Sequence, residues 1–141
     1  MLNNLYKQHL ETPSDINEHL PKLKELGEQV NHITEFGVRT GVSSVALLYS
    51  QPKKLISYDI NPFGDYAKLK ELQGDTEFHF IQESSLEVKI EQTDFLFIDT
   101  LHTYDQLIQE LTLHHHKVNK WIGLHDTTLL VIVTGKLCIT L

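Results

Sequence analysis

Thr34-Glu35-Phe36-Gly37-Val38-Arg39-Thr40-Gly41-Val42-Ser43 is the stretch from which the rest of this 141-residue chain can be read. A short apolar run, His32–Phe36, carries an acidic residue near its end, and two glycines and a helix-forming run follow. That order predicts a strand, a tight turn and a helix beginning near Ser43. Gly37 and Gly41 let the backbone turn sharply and approach a ligand, and a helix N-terminus points free N–H groups at whatever sits there. The dinucleotide fingerprint needs G-x-G-x-x-G, whereas here the glycines are spaced G-x-x-x-G with no third one, which disfavours a dinucleotide-dependent oxidoreductase. Glu35 beside the loop suits a ligand with a cationic ammonium or sulfonium group, because opposite charges attract strongly in a partly desolvated cleft. S-adenosylmethionine is such a ligand.

Working outward, apolar β-type runs recur at His32–Phe36, Lys54–Tyr58, Glu77–Ile81, Asp94–Ile98 and Trp121–Leu124. Between them, Val42–Tyr49, Asp65–Leu72 and Thr103–Val118 read as helices, the last with an apolar stripe of Leu107, Ile108 and Leu111. This alternation predicts an α/β fold with a five-stranded, mostly parallel sheet. Upstream, Ser14-Asp15 with Glu18 offers a helix cap, and Pro21 opens a turn running through Leu23, Leu26 and Val30, so residues 1–30 read as an N-terminal helical segment, a lid. Residues 31–141 form the remainder of one domain. The tail from Leu129 to Leu141 reads as a minimal hairpin around Thr134-Gly135 or as an aberrant end.

The formal charge of -7, from 12 basic and 19 acidic residues, and the lack of a dense Lys/Arg cluster argue against binding nucleic acid or an anionic membrane. The single cysteine, Cys138, has no internal disulfide partner, and Met1-Leu2-Asn3-Asn4 lacks the regions of a signal peptide, so a cytoplasmic setting is expected. No apolar run approaches the roughly 18 residues of a membrane span.

Ligands of open α/β sheets bind beyond the carboxyl ends of the strands, where this chain places Glu35, Asp59, Ser84, Asp99 and Asp126. Asp59, 18 positions beyond Gly41, is placed to accept hydrogen bonds from two ribose hydroxyls, or else is a turn aspartate before Asn61-Pro62. Ser84, in Gln82-Glu83-Ser84, meets an adenine edge or belongs to a solvated loop. Asp99 and Asp126 end neighbouring strands. Two close carboxylates repel unless a cation intervenes, which suggests Mg²⁺, although each could simply cap a following helix. His102 and Tyr104 supply a proton acceptor and a substrate-facing hydroxyl, or pack the loop. His114-His115-His116 cannot converge on one ion at helical spacing and reads as a solvated helix end.

Together the loop from Glu35 to Ser43, the segment Tyr58-Asp59-Ile60-Asn61-Pro62, the stretch Phe95–Asp99 followed by His102 and Tyr104, and the pair His125-Asp126 resemble the class I S-adenosylmethionine-dependent methyltransferases. The resemblance is to their metal-dependent small-molecule O-methyltransferases of the macrocin and catechol types, over about residues 30–127. It implies a Rossmann-like, doubly wound cofactor-binding domain. Gly37, Gly41 and Ser43 would hold the methionine part of the cofactor with Arg39 nearby, Asp59 the ribose, and Asp99 and Asp126 with His125 or Thr127 a divalent ion. A hydroxyl of a small molecule or sugar would be the acceptor, with Asp99 or His102 taking its proton. The family continues well past its fifth strand, whereas this chain ends 15 residues after Asp126. That shortening predicts an exposed apolar edge, which invites homo-oligomerisation, and sets a second reading beside the first: a truncated or inactive relative that binds the cofactor or a protein partner without turnover.

Overall fold

The structure is a computed structural model that describes residues 1–126 and 137–141. Its sheet contains β1 (His32–Phe36), β2 (Lys54–Asp59), β3 (Glu77–Gln82), β4 (Thr93–Ile98), β5 (Val118–Leu124) and β6 (Leu137–Thr140), in the order β3-β2-β1-β4-β5-β6. Every neighbouring pair is parallel. The turn of the expected hairpin, Thr134-Gly135, lies outside the described residues, and Leu137–Thr140 runs parallel to β5 as a sixth strand. Among the described residues no helix is long and apolar enough to cross a membrane.

Strand side chains alternate between two cores, as the two-residue period requires. Ile33, Leu55, Phe95 and Phe97 face one side with α2 (Leu20–Gly27), α3 (Val42–Tyr49) and Tyr6 of α1 (Leu2–Glu11). Leu69 of α4 (Tyr66–Glu71) joins them. Phe36, Ile56, Leu96, Ile98 and Ile122 face the other side, against Leu107 and Leu111 of α5 (Tyr104–His114). Burying each large apolar side chain contributes about 1.5–3 kcal/mol, which holds helices against both faces of the sheet.

That rim has a defined centre. The chain runs outward from β1 to β2 and β3, then returns to place β4 on the opposite side of β1, so the strand order reverses between β1 and β4. Crevices at such reversals are where open α/β sheets bind ligands.

The N-terminal segment begins earlier than its caps indicate. Leu2–Glu11 is a helix with no side-chain cap, which is why it carries no sequence signature. Ser14 Oγ accepts from the amides of Ile16 and Asn17 where the chain enters a 3-10 turn at Asn17–His19. Pro21 sits in the first turn of α2, which ends at Gly27, short of Val30.

Candidate active site

Four residues at the rim are fixed because ladder hydrogen bonds continue one residue past the strands. Gly37 N donates to Tyr58 O at 2.9 Å, Asp99 N to Phe36 O at 2.8 Å, His125 N to Ile98 O at 3.1 Å and Glu83 N to Asp59 O at 3.0 Å. At the reversal point Gly37 has φ +88, and a Cβ there would lie 2.1 Å from the carbonyl oxygen of Asp99. Only glycine lets the β1 loop lie against the end of β4 in this way. Gly41, with φ +85, is the N-cap of α3, and a Cβ there would meet the ring of Phe63 at 2.5 Å.

Glu35 is fully buried on the helical side of the sheet. Its carboxylate accepts from Ser43 Oγ at 2.5 Å, Ser44 Oγ at 2.7 Å and Ser57 Oγ at 2.6 Å. Ser57 is its register partner on β2, and both α3 serines lie in the first turn of that helix. Burial pushes the Glu35 carboxyl up to about 7, against the pull of the Ser43, Ser57 and Ser44 donors, and the charge of Asp99 adds to the rise. Glu35 and Ser43, read from the sequence as cofactor contacts, are therefore turned away from the crevice and brace the loop from behind.

The crevice is a cavity of about 380 Å³ whose walls include Gly37, Arg39, Asp59, Ser84 and Asp99, five of the expected cofactor residues, together with Leu101. Glu35, Gly41 and Ser43 are not in its walls. Asp59 Oδ2 accepts from the amides of Val38 (2.8 Å) and Arg39 (3.0 Å), and Oδ1 from that of Asn61 (2.9 Å). Burial pushes its carboxyl up, but these backbone donors outweigh it and hold the group below the usual range. Arg39, at φ 52, forms a 2.6 Å ion pair with Asp15.

Asp99 is the hub of a second group. It is nearly buried, and its Oδ1 receives His102 Nε2 at 2.9 Å and His125 Nδ1 at 3.0 Å. Burial raises its carboxyl, yet the two imidazole donors, His125 first, bring it net below the usual value. His125 Nε2 meets the Asp15 carbonyl at 3.1 Å. An ionised carboxylate and a carbonyl are both acceptors, so both ring nitrogens of His125 carry protons, and the bond to Asp99 raises its pKa in agreement. Asp15 thus touches both halves of the rim, Arg39 through its side chain and His125 through its backbone, and the His19 ring stands edge-on to His125 at 5.3 Å. His102 differs, since Nε2 serves Asp99 while Nδ1 lies 3.6 Å from Asp126 Oδ2.

These donors fit a divalent ion in part. Asp99, His102 and His125 each offer a ligand atom within 4.8 Å of the others, and Asp126 Oδ2 lies 3.6 Å from Nδ1 of both histidines. The His125 Nε2–H bond to a carbonyl is the kind of outer contact that orients ligating histidines. Mg²⁺ prefers oxygen, so it would rely on Asp99, Asp126 and water, whereas two imidazoles suit first-row transition ions better. An ion ligated by His125 Nδ1 would take the place of the proton there.

Several residues emerge only in three dimensions. Ser57 and Asp15 come from elsewhere in the chain, while Ser44 directly follows Ser43. Glu110 and His114 do carry a signal, for with Leu107 and Leu111 they fall at helical spacing on the buried face of α5. His114, read as part of a solvated helix end, is buried with Nε2 donating to Ser85 O at 2.5 Å.

A parallel, doubly wound sheet with a glycine loop and an acidic β2 terminus at the reversal point defines a nucleoside-cofactor domain. The chain matches the methyltransferase-domain family over residues 34–127, two thirds of its length, and belongs to that family. It is a methyltransferase domain whose methyl donor is S-adenosylmethionine. The chain matches no curated protein.

Proposed function

We propose that the domain methylates a hydroxyl of a small molecule, with the cofactor in the larger cavity and the acceptor oxygen beside Asp99. Gly37, Arg39, Asp59, Ser84 and Asp99 contact the cofactor in this reading, while Glu35, Gly41 and Ser43 set the loop's shape. The observation that carries it is the Asp99–His102 pair: Asp99, in the wall of the larger cavity, accepts the Nε2–H bond of His102, whose ring lines a smaller cavity that shares Thr100 and Leu101 with the larger one, and Nδ1 is left as the base.

The acceptor oxygen attacks the sulfonium methyl in line. A C–O bond forms, the C–S bond breaks with its electron pair going to sulfur, and S-adenosylhomocysteine leaves. The hydroxyl proton passes to His102 Nδ1. A divalent ion held by Asp99 and Asp126, with His125 once deprotonated, would supply Lewis-acid lowering of the hydroxyl pKa. Positioning supplies much of the rate in such a displacement.

The test is calorimetry of the S-adenosylhomocysteine complex with Mg²⁺ and with Mn²⁺. We expect wild-type protein to bind a divalent ion, Mn²⁺ more tightly than Mg²⁺, and Asp99→Asn to lose that heat while keeping S-adenosylhomocysteine affinity within a few-fold. Equal ion binding by Asp99→Asn would remove Asp99 from the ion site.

A further inference from the structure

A second, smaller cavity of about 110 Å³ adjoins the first, with Thr100 and Leu101 in the walls of both. His102, Tyr104, Leu107 and Glu110 line it further. Glu110 has no exposed surface, and Oε1 takes three donors: Ser85 Oγ at 2.6 Å, Thr100 Oγ1 at 2.6 Å and Gln106 Nε2 at 3.1 Å. Oε2, equally buried, has no hydrogen-bond partner among the described residues. None of the ion pairs among those residues includes Glu110.

A buried carboxylate is ordinarily fully hydrogen-bonded, and one with a free oxygen needs a reason. Three donors fix the side chain through a single oxygen and leave the other without a partner among the described residues. A carboxylate oxygen only accepts, so the natural partner is a group rich in N–H donors. Leu101 and Leu107 would border an aliphatic body attached to it.

We propose that this cavity is a subsite for a primary ammonium group, anchored by Glu110. Resting on the methyltransferase reading, the acceptor is then an amine-bearing small molecule whose hydroxyl lies toward Asp99 and His102. Glu110 sets specificity and takes no part in the chemistry.

The probes are n-propylammonium, 1-propanol and propionate, titrated by NMR into the full chain with and without S-adenosylhomocysteine. Propylammonium should shift the amides of Thr100, Leu101 and Tyr104 with millimolar affinity, with propanol at least tenfold weaker and propionate silent. Glu110→Gln should weaken propylammonium at least tenfold while S-adenosylhomocysteine binds within twofold of wild type. Equal binding of propylammonium and propanol, or undiminished binding by Glu110→Gln, overturns the assignment. If Glu110→Gln does not fold, Leu107→Phe, which fills the cavity and leaves the carboxylate in place, should abolish the propylammonium shifts, and their persistence overturns it. Failure of S-adenosylhomocysteine to bind wild-type protein would count against the methyltransferase reading alone, since the propylammonium titration stands without it.

Discussion

At the scale of single residues, the Glu35 carboxyl links the loop between β1 and α3 to pH. Its folded pKa, about 7 against an ordinary 4.5, means the native state holds a proton that the unfolded chain has released between those values. Its stabilising contribution is therefore complete below about pH 4.5 and lost as pH rises through 7, a difference of about 3 kcal/mol. Glu35→Gln removes this dependence. Urea unfolding at pH 5 and pH 8 should show the variant gaining on wild type as pH rises; a constant difference would mean that Glu35 does not titrate in this window. Asp59 is the complementary case, since Asp59→Ala strands the amides of Val38, Arg39 and Asn61 and should lower stability by about 1–3 kcal/mol as well as remove nucleoside binding. Both carboxylates were legible in the sequence as strand-end acids, but only Asp59 proved to line the crevice. Parity explains the difference. Glu35 shares a strand face with Ile33 and so points with it into the helical core, while Asp59 ends its strand and reaches the loop.

Among elements, the strands were the most legible, because buried parallel strands are short apolar runs whose ends in sequence are their ends in space. β1 and α3 have the expected bounds, His32–Phe36 and Val42–Tyr49. The predicted helix Thr103–Val118 instead ends at His114, gives a 3-10 turn at His115–Lys117 and passes directly into β5 at Val118. Within the helical segment expected over residues 1–30, the start of α1 at Leu2 was unmarked because it has no side-chain cap; the helix reaches the core through Tyr6, with Leu2, Leu5 and Leu10 packed beside it. The junction of β1 and β4 carries the sharpest prediction at this scale. Gly37→Ala would force both a positive φ and a clash with the Asp99 carbonyl, and thermal unfolding should show several kcal/mol of destabilisation or failure to fold. A melting temperature within about 2 °C of wild type would show that the loop can leave β4 without consequence.

For the whole molecule, the fold brings five strand ends to one rim and the segment around Asp15 across it. The rim as a set was readable, because every parallel strand delivers its carboxyl end to the same side. Its internal division was not. That the acids separate into a crevice wall, an Asp99–His102–His125 cluster and the half-satisfied Glu110 depends on side-chain direction and on partners far apart in sequence. The central claim is that the crevice at the β1–β4 reversal binds an S-adenosyl nucleoside through Asp59. Calorimetric titration with S-adenosylmethionine, S-adenosylhomocysteine and NAD, on wild-type protein and Asp59→Ala, tests it most directly. The account predicts that wild type binds the first two and not NAD, and that folded Asp59→Ala binds none. Binding of NAD alone, or undiminished S-adenosylhomocysteine binding by Asp59→Ala, would contradict it.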